Sequence, residues 1–340
     1  MGRFEPYHDG HHTIVLRALE VADKLILVMG SDNRPRTIKN PFSSDERRAM
    51  IMAALTPEQI ERVYFVAQED YYYSDTKWLE SVQKKIQTIV WEKFNPDPIK
   101  ITLIGHKKDN SSYYIDLFPQ WAFTDVQNHN MLSATNIRNA MFNGKVEGWG
   151  PALWNQVPEG THAYLEQLRI SKINEFVSLN REWAFIEKYK EQWKSAPYAP
   201  TFVTCDATVI QSGHVLLVKR RAEPGKGLWA VPGGFLNPGE RIKDGIFREL
   251  KEETKIDVPE KVLRGSLRGI KVFDHPDRSL RGRTITHNAL IVLPNGSLPK
   301  IKGSDDAEVA KWTPLGEVNS SNMFEDHYDM VQIQKDLVTG

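Results

Sequence analysis

Apolar positions along the chain follow two periods in alternation. Ile14, Ala18 and Ala22 fall on one helical stripe with Val15 and Leu19 beside it, and the run Leu25 to Met29 that follows is a short apolar strand. A second helix, through Met50 and Leu55, is opened by a capping box in Ser43-Ser44-Asp45-Glu46, and Arg62 to Ala67 reads as the next strand. An aromatic and helical stretch between Tyr71 and Trp91 leads to a short strand at Ile101 to Ile104. Strands alternating with helices predict a doubly wound α/β domain. Asn174 to Trp193 reads as a linking helix, and Ser195-Ala196-Pro197-Tyr198-Ala199-Pro200 marks a boundary. Beyond it, Thr201 to Ile210 and His214 to Val218 are expected strands around a turn at Ser212-Gly213. From Ile242 the apolar residues Ile242, Ile246 and Leu250 recur every four positions, which predicts a helix with one buried stripe. The expected division is 1–165, a helical linker over 166–199, and 200–340.

Composition narrows the function classes. The chain has 340 residues, enough for two cores, and 44 basic residues balance 44 acidic ones. No broad electrostatic footprint for nucleic acid or a membrane surface is visible, so neither is an expected partner. The single cysteine, Cys205, cannot form an internal disulfide, and a reducing, cytoplasmic setting is expected. Apolar runs such as Leu25 to Met29 are too short to span a bilayer. Self-association is left open.

Candidate chemistry falls in two places. On the helix from Ile242, Glu249 and Glu253 are one turn apart and Glu252 is three residues from Glu249, so three carboxylates share a neighbouring face suited to a hard cation. Gly233 and Gly234 precede it, where a tight loop brings backbone close to a phosphate. Gly234, Glu240, Arg248, Glu249, Leu250, Glu252, Glu253 and Ile256 resemble the Nudix box, with Lys255 where that family has glycine to ease the chain out of the helix. Further on, Arg278, Arg281 and Arg283 resemble the DRxxRGR segment of Nudix domains that handle ADP-ribose, which suggests Arg281 and Arg283 as phosphate ligands.

At the other end, His8 and His11 flank Asp9-Gly10 at a helix N-terminus, where imidazole donors, backbone N–H groups and the helix dipole favour an anion. This resembles the HxGH signature of the nucleotidyltransferase superfamily. The longer string from Gly2, Arg3 and Phe4 through Gly10 to His11 is similar to the start of archaeal-type nicotinamide-mononucleotide (NMN) adenylyltransferases. In that fold a central strand precedes the string, so a missing first strand and a truncated start are expected. Ser133, Thr135 and Arg138 match the superfamily's SxTxxR motif: the hydroxyls cap a helix or donate to phosphate, and Arg138 reaches the β- and γ-phosphates. The resemblance also implies Trp78 as a stacking partner for nicotinamide, with core packing as the alternative. It adds Gly105, His106, Lys108, Asp109, Ser111 and Ser112 as a ligand loop at a strand end.

Taken together, the chain resembles the bifunctional NMN adenylyltransferase/Nudix hydrolases. The implied fold class is α/β: a Rossmann-like doubly wound nucleotidyltransferase domain, then an α+β Nudix fold of the α/β/α sandwich type. The implied ligands are ATP, NMN, NAD and ADP-ribose, with Mg2+ as cofactor and Mn2+ as its alternative. Expected catalytic residues are His8, His11 and Arg138 in one site and Glu249, Glu252 and Glu253, which also hold the metal, in the other. Two other readings stay open: a Nudix module that senses ADP-ribose or NAD without turnover, and a first domain that adenylylates or cytidylylates a different phosphate acceptor.

Overall fold

The computed structural model describes residues 1–94, 99–106, 115–126, 132–143, 149–150, 154–303 and 307–339. Its contacts divide the chain into two units, Met1–Arg181 and Glu182–Gly340.

In the first unit the elements run α1 (Asp9–Val21), β1 (Leu25–Met29), α2 (Ser44–Ala53), α3 (Pro57–Ile60), β2 (Val63–Ala67), α4 (Asp75–Phe94), β3 (Thr102–Gly105), β4 (Ala122–Asp125), α5 (Ala134–Phe142) and α6 (Glu159–Ser171); α7 (Ile173–Glu191) carries the unit boundary. The strands form two parallel pairs, β1 with β2 and β3 with β4, and α2 and α3 make the crossover from β1 to β2 as an α/β fold requires. Val82, Ile86 and Val90 of α4, spaced four apart, pack on Val28 and Val66, with Met1, Ile26 and Leu103 against the same cluster. Where an inner strand was expected, Gly2 makes one parallel bridge to Met29, and among the described residues no strand joins the two pairs. The capping box at α2 is complete: Ser43 Oγ accepts from the Glu46 N–H at 3.3 Å and Glu46 Oε2 from the Ser43 N–H at 2.8 Å. Helix α6, which runs from the expected first domain into the stretch 166–199 read as a linker, packs on α2 through Thr161, whose hydroxyl donates to the Met50 carbonyl at 3.0 Å.

The second unit contains β5 (Thr201–Gln211), β6 (His214–Arg220), β7 (Trp229–Ala230), β8 (Gly233–Phe235), α8 (Ile242–Thr254), α9 (Glu260–Gly265), β9 (Leu267–Phe273), β10 (Arg283–Val292), β11 (Ala307–Pro314) and α10 (His327–Thr339). Its mixed sheet has the order β11-β6-β5-β10-β9, with β7 on β6 and β8 on β5. Alternation along β5 sorts the two faces. Cys205, Ala207 and Val209 join Ile246, Phe247 and Leu250 of α8 in an apolar core. Thr208 points the other way and donates to Asn288 Oδ1 at 3.0 Å, and Gln334 of α10 donates to the same oxygen at 2.8 Å. Helix, sheet and helix therefore form three layers, one interface apolar and the other hydrogen-bonded.

Helix α8 ends at Lys255, which adopts the left-handed conformation (φ 45°, ψ 34°) and donates its N–H to the Lys251 carbonyl. A β-carbon there is strained by about 1 kcal/mol. Lys255→Gly relieves this while adding freedom to the unfolded chain, so a net gain of about 0.5 kcal/mol is expected in the urea midpoint. An unchanged or lower midpoint would contradict it.

Candidate active sites

In the first unit, His8 is the N-cap residue of α1, and its carbonyl accepts from the N–H groups of His11 and His12 at 2.8 and 2.9 Å. The His8 and His11 rings stack at 3.7 Å, and the Phe4 ring meets His11 edge-on at 4.9 Å. Burial, with the neighbouring His8 and the N-terminal ammonium, holds the His11 pKa well below that of a free imidazole. His11 is therefore a neutral donor at pH 7, not a cation. Gly10 lies where an added β-carbon would meet the His8 ring at 3.1 Å and Leu132 Cβ at 3.7 Å, so the HxGH turn abuts the entry to α5.

Ser133 is the N-cap of α5, yet its side chain makes no capping bond, leaving the hydroxyl for another partner. Arg138, one turn on, is buried; it donates to the Glu5 carbonyl at 2.7 Å and to Thr135 Oγ1 at 3.2 Å. The two motifs, far apart in sequence, thus share one site. Burial, then the charge of Arg3, lowers the Arg138 pKa to about 10, still protonated near neutrality. Two residues that sequence reasoning missed hold this loop. Arg47, fully buried, donates to the carbonyls of Arg3 and Gly30 and to Ser44 Oγ. Glu5, also fully buried, lies 3.6 Å from Arg47; burial raises its pKa to about 7 against the pull of Arg47, Arg3 and Arg138. The only sequence signal for Arg47 was a charge three residues after the Ser44 of a capping box. Trp78 lies half-buried on α4 against Phe118 at 5.9 Å, in the apolar cluster. Gly105 closes β3, which runs beside α1, while Lys108, Asp109, Ser111 and Ser112 lie outside the described residues.

In the second unit, β8 pairs with β5 so that Gly233 faces Asp206 and Gly234 faces Cys205. A β-carbon at Gly233 would fall 1.9 Å from Asp206 Oδ1, and one at Gly234 would fall 2.6 Å from Glu249 Oε1. Both glycines are needed for this approach of backbone to carboxylate. Arg248 forks across the box: to Glu240 at 2.7 and 2.9 Å, to Glu249 at 2.7 Å and to Glu252 at 2.9 Å. Glu253 turns instead to the Gly233 N–H at 2.9 Å. The three glutamates are therefore adjacent, Glu249 and Glu252 oriented by one arginine and Glu253 by the glycine loop. Among the described residues no three His, Cys, Asp or Glu side chains already converge as a metal cluster; the glutamates are engaged by Arg248 and the Gly233 N–H instead. Burial first, with Glu249 and Asp206 adding to it, raises the Glu253 pKa to about 8. Burial likewise raises Asp206 to about 6 and lifts Glu249. Asp206 had no sequence signal, since its place depends on strand register.

The three arginines of the DRxxRGR run separate by function of their surroundings. Arg278 is buried and bidentate to Asp326 at 2.9 and 2.8 Å, a structural pair. Arg283, at the start of β10, donates to the Asp274 carbonyl. Arg281 lies over Phe235 at 5.2 Å, beside the glycine loop. Near this site His327, buried, accepts the Val231 N–H on Nδ1 at 3.1 Å, and burial pushes its pKa down to about 3. Because the folded pKa lies below the unfolded one of about 6.5, its contribution is full above that value and is lost as pH falls toward 3, by up to about 1.4 kcal/mol per unit. Urea midpoints should accordingly fall faster for the wild type than for His327→Gln between about pH 6.5 and about pH 4. Parallel curves would refute this assignment.

Known proteins match both units. Residues 1–140 match a cytidylyltransferase-like family model and residues 201–333 the NUDIX domain model. A nicotinamide/nicotinic acid mononucleotide adenylyltransferase of Acinetobacter baylyi is 36% identical over 174 residues, 51% of this chain and 86% of the relative. An ADP-ribose pyrophosphatase of Methanocaldococcus jannaschii is 33% identical over 133 residues, 39% of this chain and 73% of the relative. The crystal structure of a bifunctional NMN adenylyltransferase/ADP-ribose pyrophosphatase of Francisella tularensis, complexed with AMP and a manganese ion, superposes with a TM-score of 0.89 at 36% identity, covering 99% of this chain and 97% of that one. The chain belongs to this bifunctional family. As in its other members, a nucleotidyltransferase unit and a Nudix unit occur in one polypeptide, and the α/β fold class follows for both.

The donor set of this bifunctional chain fits a divalent cation. Glu249, Glu252 and Glu253 are hard oxygen donors on one helix, and burial together with neighbouring carboxylates disfavours the charged forms of Glu249 and Glu253. A dication relieves both penalties. Among the described residues no helix is long and apolar enough to cross a membrane.

Proposed function

We propose that the first unit transfers the adenylyl group of ATP to NMN, giving NAD and pyrophosphate, and that the second hydrolyses ADP-ribose to AMP and ribose 5-phosphate with Mg2+, for which Mn2+ can substitute. The observation that carries this reading is the presence of two separately built sites: HxGH joined to SxTxxR through Arg138 and Glu5, and the Nudix glutamates joined to the Gly233-Gly234 loop.

In the first site a phosphate oxygen of NMN attacks the α-phosphorus of ATP in line. The bond from that phosphorus to the bridging oxygen breaks, and the electron pair leaves with pyrophosphate. No protein nucleophile is required, so the residues act by placement and by stabilising charge. His11 donates as a neutral imidazole, His8 fixes its ring by stacking, and Arg138 with Arg3 supplies fixed positive charge beneath the phosphates. Ser133 and Thr135 donate at the N-terminus of α5, Gly2, Phe4 and Gly10 shape the loop, Gly105 lines its edge, and Trp78 is the proposed wall for nicotinamide.

In the second site water adds across the diphosphate, one P–O bond forming as the bridging one breaks. Glu249, Glu252 and Glu253 would hold the cation, which when bound supplies Lewis-acid polarisation of the diphosphate. Arg248 keeps Glu249 and Glu252 oriented, and the Gly233 N–H fixes Glu253. Arg281, and Arg283 behind it, complete the phosphate side. A reducing, cytoplasmic setting is proposed from the lone, buried Cys205. Separate assays of NAD formation and of AMP release by the same chain test this reading; a chain that binds ADP-ribose without releasing AMP would instead be a sensor.

A further inference from the structure

Two arginines of the Nudix unit make few hydrogen bonds among the described residues. Arg220, the last residue of β6, lies 4.0 Å from the centre of the Phe324 ring, and Arg281 lies 6.0 Å from the same ring. That ring is a fixed plate. Phe324 is buried with Val218 and Ala230, its N–H donates to the Trp229 carbonyl at 2.8 Å, and a β-carbon at Gly225 would fall 2.3 Å from it. Arg220 spends Nε on the Pro224 carbonyl at 2.9 Å, and its Nη groups meet no hydrogen-bond acceptor among the described residues. Among the described residues the one hydrogen bond of the Arg281 guanidinium is a long 3.4 Å contact from Nε to Ser279 Oγ; it also stacks on Phe235 and its charge acts on Glu325. Arg278, three residues before Arg281, shows the contrast: its fork is filled by Asp326.

Setting two guanidinium groups against one phenyl ring is unfavourable by their mutual charge, and burial followed by Arg281 lowers the pKa of Arg220. The acidic groups that act on Arg220 are Glu325, Glu253 and Asp206, so it lies within the field of the Nudix carboxylates. Planar guanidinium forks with open Nη donors match the paired oxygens of a diphosphate better than they match water. The Phe324 plate holds both in place without using those donors. We propose that Arg220 and Arg281 together form the diphosphate-binding fork of the Nudix site.

The proposal rests on the Nudix reading above and adds Arg220, which no sequence motif marked, as a substrate-binding residue. Arg220→Gln and Arg281→Gln are each expected to raise the KM for ADP-ribose by about tenfold with kcat within about threefold, as loss of a ground-state phosphate contact requires. Arg281→Lys, which keeps the charge but loses the fork, should recover only part of that loss. Because Arg220 also bonds Pro224, melting temperatures are measured in parallel, and Arg281→Gln, with no strong structural bond, carries the result if Arg220→Gln is unstable. A KM within about twofold of wild type in Arg281→Gln overturns the fork. If the wild type hydrolyses no ADP-ribose, the Nudix assignment fails on its own. The fork is then judged by calorimetric titration of ADP-ribose with Mg2+: affinity about tenfold weaker in Arg281→Gln supports it, and equal affinity overturns it.

Discussion

Glu253→Gln should lower AMP release from ADP-ribose by about a thousandfold, at the upper end of what one preorganised charged group contributes, while NAD formation stays within about twofold of wild type. The substitution conserves shape, and an amide oxygen can still accept the Gly233 N–H that Glu253 accepts at 2.9 Å. What it removes is a negative charge that burial, Glu249 and Asp206 already oppose, raising the carboxyl pKa to about 8. Unfolded, a glutamate ionises at about 4.5, so between that pH and about 8 the metal-free wild type loses stability as pH rises. The metal-free variant should melt no lower than wild type in that window. Differential scanning fluorimetry without Mg2+ and a coupled AMP assay with it read the two halves. A variant that is both active and less stable would show that Glu253 is structural.

His11→Ala should lower NAD formation by about a hundredfold to a thousandfold and leave AMP release unchanged. The imidazole is held between the His8 ring at 3.7 Å and the Phe4 edge at 4.9 Å, so its donor is preorganised. Its pKa lies well below the free value, which makes it a neutral donor throughout the working range. The rate of NAD formation should therefore show no fall attributable to His11 between about pH 6 and about pH 8. A rate that drops through this window in wild type and not in His11→Asn would mean that the imidazolium acts, contradicting the neutral role.

How much of this was legible beforehand depends on the reach of each interaction. Periodicity placed α8, because its stripe of Ile246 and Leu250 is local and meets Cys205, Ala207 and Val209 on a strand whose alternation is equally local. The capping box at Ser43 was legible for the same reason: both of its hydrogen bonds span three residues. Lys255 was readable as a misfit from the box alone, and its left-handed φ is the physical form of that misfit. Residues whose role is set by remote partners were not legible. Arg278, Arg281 and Arg283 look alike in sequence; Asp326, far along the chain, takes the first, the Asp274 carbonyl takes the last, and Phe235 with Phe324 leaves the middle one facing the site. Asp206 enters through the register of β5 with β8, and Arg220 through the turn that brings Phe324 onto it. Arg47 is the same lesson in the first unit: nothing local marks its role, yet it is a fully buried clamp on the Arg3 and Gly30 carbonyls.

One polypeptide is expected to carry two independent phosphorus chemistries. This is tested most directly by supplying the intact chain with ATP, NMN, ADP-ribose and Mg2+ together and resolving the products by chromatography over time. NAD and AMP should both accumulate, with pyrophosphate matching NAD and ribose 5-phosphate matching AMP. NAD without AMP would leave the Nudix unit as a binding module, and AMP without NAD would remove the adenylyltransferase assignment; either result would contradict that expectation.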